Sequence, residues 1–262
     1  LKKNANMNGV LADKEINSIF TESRFNIFDS THVDASLRRE YDSQYDTFTT
    51  GRIQINNNFF ENIIFRGSIG TGYRTPTPYE LYSAYGNSNL KPEKSTSYDI
   101  GSEIIITKDI FKIYINAFET KVEDIITYSS SKYRQTDANL KTYGFELGAK
   151  KTFYNFLTTS LNYTKTHGKE NDGDSITLVP ENKVIFSLNA IPSEKININI
   201  YFLYQNKSVD TKYNQLPNYK TLNMNANYLI TKKSKTFIKF ENLLDRNNVV
   251  NRGGGTSENL AY

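Results

Sequence analysis

The side chains of this chain that could do chemistry are few. Glu119, Glu123 and Asp124 lie within six residues of one another, and paired carboxylates are what general acid–base chemistry uses. Asp172 and Asp174 flank Gly173 in the stretch NDGDS, which looks like a fragment of a calcium loop without its remaining ligands. Both groups read better as solvated charge, the first near a strand end and the second in a polar loop. His32 and His167 are the only histidines and stand far apart, which argues against a His-based metal site or a His-activated nucleophile. There is no cysteine, so disulfides, thiolate metal sites and Cys nucleophiles are all excluded. Lys232, Lys233 and Lys235 crowd one short segment that they serve to solvate. No catalytic residue, metal site or cofactor is expected, and the chain does not read as an enzyme.

The elements that must carry these residues are strands. The 262 residues are 37% hydrophobic and 13% aromatic, with no Trp, which is too polar to fill one large core with apolar blocks. Net charge is +4 with no basic block, so no nucleic-acid partner is expected. No run of about 18 apolar residues exists to make a transmembrane helix. Alternation dominates instead. In KININIYF, Ile196, Ile198, Ile200 and Phe202 share one face, and Lys195, Asn197, Asn199 and Tyr201 share the other. TLNMNANY at 221–228, VIFSLNA at 184–190 and FKIYINA at 111–117 repeat the pattern. A slip of one residue would turn the amides to the apolar side, so the pattern sets its own register.

About twelve strands follow, near 15–27, 31–41, 47–56, 61–71, 96–107, 110–127, 138–151, 154–166, 182–191, 194–206, 219–230 and 235–244, with no helical segment. Short connections (FDS, NNNFF, TKD, KTFY, PSE, TKKSK) alternate with longer ones, among them the opening stretch, TYSSSKYRQTD, HGKENDGDSITLVPEN and NKSVDTKYNQLPN. Tight turns at one end and long polar loops at the other are the asymmetry of a transmembrane antiparallel up-and-down β-barrel. Tyr128, Tyr143, Tyr163, Tyr204, Tyr219 and Tyr228 fall near strand ends and suit an interfacial belt. The first connection is short, the chain starts at Leu1, and no closing strand follows the Gly-rich end. Residues 1–262 are therefore expected to be one partial barrel domain.

One connection differs from the rest. TGYRTPTPYELYSAYGNSNLKPEKS, 71–95, holds Pro76, Pro78 and Pro92, too many prolines for a helix, and too much apolar surface for a plain linker. It resembles the signature of TonB-dependent outer-membrane receptors, at Arg74, Pro76, Glu80, Leu81, Tyr82, Gly86, Asn87, Leu90, Pro92, Glu93 and Ser95. FENLLDRNN, 240–248, is similar to the family's penultimate-strand motif at Glu241, Asn242, Leu243 and Asp245, with Leu244 where Phe is usual. ANLKTYGFELGAKKTF, 138–153, resembles a family strand with a Gly-(Phe/Val)-Glu core.

The resemblance covers about residues 15–250 and is nearest to the cobalamin-receptor branch. It implies a 22-stranded barrel of which this chain supplies roughly strands 10 to 21, with the plug domain and TonB-binding segment outside it. It implies a Gram-negative outer-membrane receptor that takes up a scarce metal chelate, cobalamin first, with a siderophore or haem as the alternative within the family. The partners implied are outer-membrane lipid, the chelate, and TonB through the missing amino-terminal region. A passive pore or autotransporter barrel is the alternative of another class. The 71–95 segment is then a brace between barrel and plug. Pro76 and Pro92 fix the backbone, Gly86 and Asn87 make a turn, and Leu81, Tyr82 and Leu90 pack on the wall. Arg74 and Glu80 are expected as a buried lumenal pair or as plug contacts. Tyr133, Arg134, Tyr213 and Asn214, in loops that mix Tyr with polar residues, are the candidates for ligand contact.

Overall fold

The computed structural model describes residues 2–7, 10–137, 139–170, 174–175, 178–210, 214–252 and 259–261. Strands β1 (Lys2–Met7), β2 (Val10–Phe28), β3 (Thr31–Asp42), β4 (Asp46–Phe60) and β5 (Ile63–Arg74) lead to a single helical turn, α1 (Pro78–Tyr82). Then come β6 (Glu93–Thr107), β7 (Phe111–Glu123), β8 (Ile126–Ser129), β9 (Lys132–Gln135), β10 (Leu140–Phe153) and β11 (Leu157–Glu170). The two-residue β12 (Asp174–Ser175) precedes β13 (Asn182–Ser193), β14 (Ile196–Asn206), β15 (Tyr219–Thr231) and β16 (Ser234–Phe240), and β17 (Val249–Arg252) and β18 (Asn259–Ala261) close the order. From β1 to β16 the strands form one antiparallel sheet in chain order, with β12 pairing on β11. The β8–β9 and β17–β18 hairpins form separate ribbons.

All twelve expected strands are present, as β2–β7, β10, β11 and β13–β16. The differences lie at their ends. The opening stretch holds β1, paired with the start of β2 from Lys2↔Glu15 to Met7↔Val10, where a loop is expected. TYSSSKYRQTD contains the β8–β9 hairpin, and β7 stops at Glu123. β16 stops at Phe240 instead of running to 244.

Register assigns the faces, because residues directly opposite one another in an antiparallel pair point to the same side. On one face Ile198 lies between Ala190 and Ala226, and Ile200 between Leu188 and Met224. On the other, Asn199 lies between Asn189 and Asn225. The first face continues through Ser23, Ala35, Ile53 and Ile69 on β2–β5. It leaves large apolar side chains open, with Ile19 74% and Ile100 69% exposed. That is the outward face of a membrane barrel, where lipid replaces a protein core. Consistent with this, the buried apolar side chains among the described residues are Leu81, Leu90 and Leu216, all in connections at the long-loop end.

The inner face divides in two. On β2–β7 it carries ion pairs, Arg24–Asp34 at 2.5 Å, Lys112–Glu103 at 3.1 Å and Arg66–Glu103 at 3.6 Å. On β13 and β14 it is amide, with Asn189 donating to Asn197 at 3.0 Å and to Asn199 at 2.7 Å. Between the two, Tyr114 lies across Gly148 and donates to Asn162. A Cβ at Gly148 would overlap the Tyr114 ring, so the contact requires glycine. The expected tyrosine belt is only partly present. By register Tyr143, Tyr163, Tyr204 and Tyr228 face outward, whereas Tyr219 opposes Gln205 on the inner face. Tyr128 is not on the wall at all but on β8.

Candidate functional site at the long-loop end

The connection after β5 is a folded unit. Thr77 begins α1 as its N-cap. Its hydroxyl accepts from the Glu80 amide at 3.2 Å, while its own amide donates to Glu80 Oε2 at 2.7 Å. This reciprocal capping box places Pro78 at the first helical position, where a missing N–H costs nothing. The expectation that three prolines exclude a helix is therefore corrected, since one of them starts it.

Arg74 holds the two ends of the connection together. Its guanidinium reaches Glu80 Oε2 at 3.0 Å and Glu93 at 2.6 Å and 2.9 Å, and Glu93 is its cross-strand partner on β6. Planar forks matched to two carboxylates are what arginine does best. The Arg74 side chain is 44% exposed and the carboxylates 13% and 12%, so the cluster is partly buried, and by register Arg74 lies on the inner face of β5. Burial disfavours the charged Glu80 carboxyl, but Arg74 and the Thr77 N–H and hydroxyl outweigh it and hold Glu80 below its usual range. Nearby, burial together with Tyr82, Asp42 and Glu80 pushes the Tyr45 phenol up to about 12.

Beyond α1 the chain turns back on itself. A Cβ at Gly86 would come 2.6 Å from the Leu81 carbonyl, so only glycine permits the close pass. Asn87 accepts from the Asn89 amide at 3.0 Å, an Asx turn, and Leu90 is 2% exposed beneath it. This turn docks on the β8–β9 hairpin. The Tyr133 amide donates to the Tyr85 carbonyl at 2.8 Å, and Asn87 Nδ2 donates to the Tyr133 carbonyl at 3.3 Å. Gln135 accepts from the Lys91 amide at 2.8 Å and donates to the Lys91 and Asp124 carbonyls at 2.9 and 2.7 Å. Glu93 also accepts from the Ile126 amide at 2.8 Å. The rings follow, with Tyr79–Tyr133 at 6.0 Å, Tyr128–Tyr133 at 5.2 Å and Tyr85–Tyr128 at 5.8 Å, all edge-to-face. Such a surface can stack on and hydrogen-bond a polar ligand. Sequence reading missed Tyr79 and Tyr85 and assigned Tyr128 to the interfacial belt, because single tyrosines in connections carry no pattern.

The other expected site residues separate. Arg134 is exposed on β9. Asn214 is held within its own loop, its amide donating to Asp210 Oδ1 at 2.9 Å, and no described contact joins it to the β8–β9 hairpin. Tyr213, Asp172 and Gly173 lie outside the described residues. The acidic trio makes no proton-sharing site. Glu119 pairs with Lys141 at 2.9 Å, Glu123 pairs with Lys121 at 2.7 Å, and the Asp124 carbonyl belongs to the Gln135 clamp. Lys232 and Lys233 lie in the β15–β16 turn at the opposite end.

The motif at 240–248 is a turn rather than a strand. Asn242 and Asp245 have φ of 51° and 48°, a left-handed backbone that Asn and Asp tolerate better than most residues. Asn242 Nδ2 donates to the Arg246 carbonyl at 2.9 Å, and the Asn242 amide donates to Asn223 Oδ1 at 2.8 Å. The Leu243 amide still reaches the Leu222 carbonyl at 2.8 Å, and Glu241 pairs with Lys239 at 2.7 Å. Asn248, 2% exposed, accepts from the Lys220 amide and donates to its carbonyl, both at 2.9 Å, so its side chain replaces a strand partner.

Comparison with known proteins adds the following. A family profile described as TonB dependent receptor-like, beta-barrel, matches residues 4–243. The vitamin B12 transporter BtuB of Vibrio cholerae serotype O1 is 24% identical over 243 residues, 88% of this chain and 39% of that protein. BtuB of Vibrio vulnificus is 26% identical over 222 residues, 82% of this chain and 35% of that protein. The chain thus spans less than half the length of these curated relatives. Among solved structures, the copper transporter OprC superposes with a TM-score of 0.77 at 16% identity, over 95% of this chain and 46% of that one. The siderophore receptor PirA from Acinetobacter baumannii gives 0.73 at 17%, over 89% and 42%.

Proposed function

The chain belongs to the TonB-dependent receptor β-barrel family, and from that premise we propose that the full-length protein takes up a scarce metal chelate, with cobalamin as the first candidate ligand. Its barrel belongs to the outer membrane of a Gram-negative cell. Transport energy would come through TonB, engaged by a region outside this chain, and outer-membrane lipid would surround the wall. On this reading residues 1–262 are one arc of a larger barrel.

The observation that carries the receptor reading is the closed connection at 74–93. Arg74, Glu80 and Glu93 lock it over the adjoining ends of β5 and β6, and Pro76, Leu81, Tyr82, Gly86, Asn87, Leu90 and Pro92 shape it. The connection lies inside the stretch that matches the receptor-barrel profile, which supports a receptor over a passive pore. Cobalamin is placed first because the vitamin B12 transporters align along most of the chain. Glu241, Asn242, Leu243 and Asp245 keep the end of β16 registered on β15. Tyr133 and Arg134 would meet the ligand together with the neighbouring tyrosines, and Tyr213 and Asn214 from a second loop.

The test is to purify the full-length protein from outer membranes and titrate it with cyanocobalamin beside a panel of ferric siderophores. Submicromolar binding of cyanocobalamin supports the reading. Binding of a siderophore or haem instead keeps the receptor and replaces its ligand. Binding of none, with open ion conductance in a bilayer, means a passive pore.

A further inference from the structure

The inner face of β13–β15 carries a patch of carboxamides. Register places Asn189, Asn199 and Asn225 in one row and Asn197 and Asn227 in the next, nearer the short turns. None of the five is charged, whereas the same face of β2–β7 is crossed by ion pairs. The neighbouring β16 brings Lys239 opposite Asn225, but Glu241 pairs with it at 2.7 Å. Asn197 and Asn199 lie within the first four residues of β14, so the patch stands toward the short-turn end, away from the tyrosines of the long-loop end.

These amides do not satisfy one another. Asn189 Nδ2 donates to Asn197 at 3.0 Å and to Asn199 at 2.7 Å, Asn199 Nδ2 donates to Asn197 at 2.8 Å, and Asn227 Nδ2 donates to Asn225 at 3.2 Å. Among the described residues, Oδ1 of Asn189 and of Asn227 receives no hydrogen bond, and Nδ2 of Asn197 and of Asn225 makes none. An amide ladder closed on itself would only stiffen the sheet. This one presents open acceptors and open donors on a single surface, so it can engage a group that carries both.

We propose that the patch is a second ligand site, low on the inner wall, for a neutral solute edged with carboxamides, as a corrin is. It rests on the receptor reading above, which brings such a ligand into the barrel. A carboxamide holds its N–H and carbonyl side by side, and so meets an open acceptor and an open donor together. An anionic chelate finds no cation among the five, and the lysine beside them is already paired, so its charge would lose water without gaining a partner. The hydrogen bonds are neutral and exchange with bonds to water, which keeps the site weak and lets the ligand leave.

Surface binding and energised uptake of radiolabelled cyanocobalamin are to be measured on cells producing the full-length receptor. Asn199→Leu combined with Asn225→Leu is expected to leave surface binding unchanged and to slow uptake about tenfold, the worth of one or two neutral hydrogen bonds. Asn199→Gln combined with Asn225→Gln keeps the amides and is expected to keep uptake near wild type. Asn225→Asp, equal in size but without the open N–H, is expected to slow uptake too, and serves where the leucine pair does not assemble. Wild-type uptake by either of these slowed variants overturns the proposal. So does a glutamine pair as slow as the leucine pair, since shape and not the amide would then matter. In an assembled variant, surface binding weakened as much as uptake also overturns it, because the amides would then act through the loop end. No surface binding by wild type removes the cobalamin reading itself, and this site with it.

Discussion

Arg74 is the residue on which the mouth segment closes, because a single planar guanidinium serves both Glu80 and Glu93. Lysine keeps the charge but not the fork. Arg74→Lys is expected to cost about 1 kcal/mol, since the site is half-open to water, and to speed amide exchange across 78–92. The pH dependence has a definite sign. Glu80 titrates below its ordinary value in the folded protein, so its contribution is full above the usual carboxylate range. It is lost as pH falls through the depressed folded value. Protection factors at 78–92, corrected for intrinsic exchange, should therefore be constant through neutral and mildly acidic pH and fall only in stronger acid; a fall beginning near neutrality would contradict this account. Gly148 sets the other residue-scale constraint. Gly148→Ala displaces the Tyr114 ring and breaks its bond to Asn162, for an expected loss of about 1–3 kcal/mol. Adding Tyr114→Ala should recover part of that loss in a double-mutant cycle on the refolded full-length protein.

At the scale of elements, the hairpin β8–β9 and the turn at 85–92 stabilise each other through Gln135, which bonds both Lys91 and Asp124. Gln135→Ala leaves both backbones without a shared partner. Exchange should then accelerate together at 85–92 and 126–135 while the strands β6 and β7 keep their protection; independent behaviour of the two segments would mean that they are not one unit. These elements were unequally legible. The twelve wall strands followed from alternation, but α1 did not, although its signal was present. Thr77 and Glu80 with Pro78 between them spell a capping box, and the density of prolines hid it. The end of β16 was misplaced because Asn242 leaves the strand through its backbone angle, which alternation does not report.

For the whole molecule, the two faces of the sheet meet different solvents. Ile200→Lys puts a charge on the outward face at mid-strand, at an expected cost of about 2–4 kcal/mol. Asn199→Lys, one residue away on the inner face, is expected to be tolerated. Heat-shifted migration of outer-membrane fractions on gels separates the two, and equal loss of folded protein in both would show the faces to be misassigned. The twelve alternating wall strands and the faces of their side chains are determined by the sequence itself, because side-chain direction reverses at every residue and each face is sorted by what it touches. Only the tertiary structure decided that Arg74 is shared by Glu80 and Glu93, that Asn87 meets Tyr133 across 46 residues, and that the inner wall divides into a charged half and an amide half. These depend on which positions become neighbours when strands and loops far apart in the chain are brought into register, and no local pattern records that.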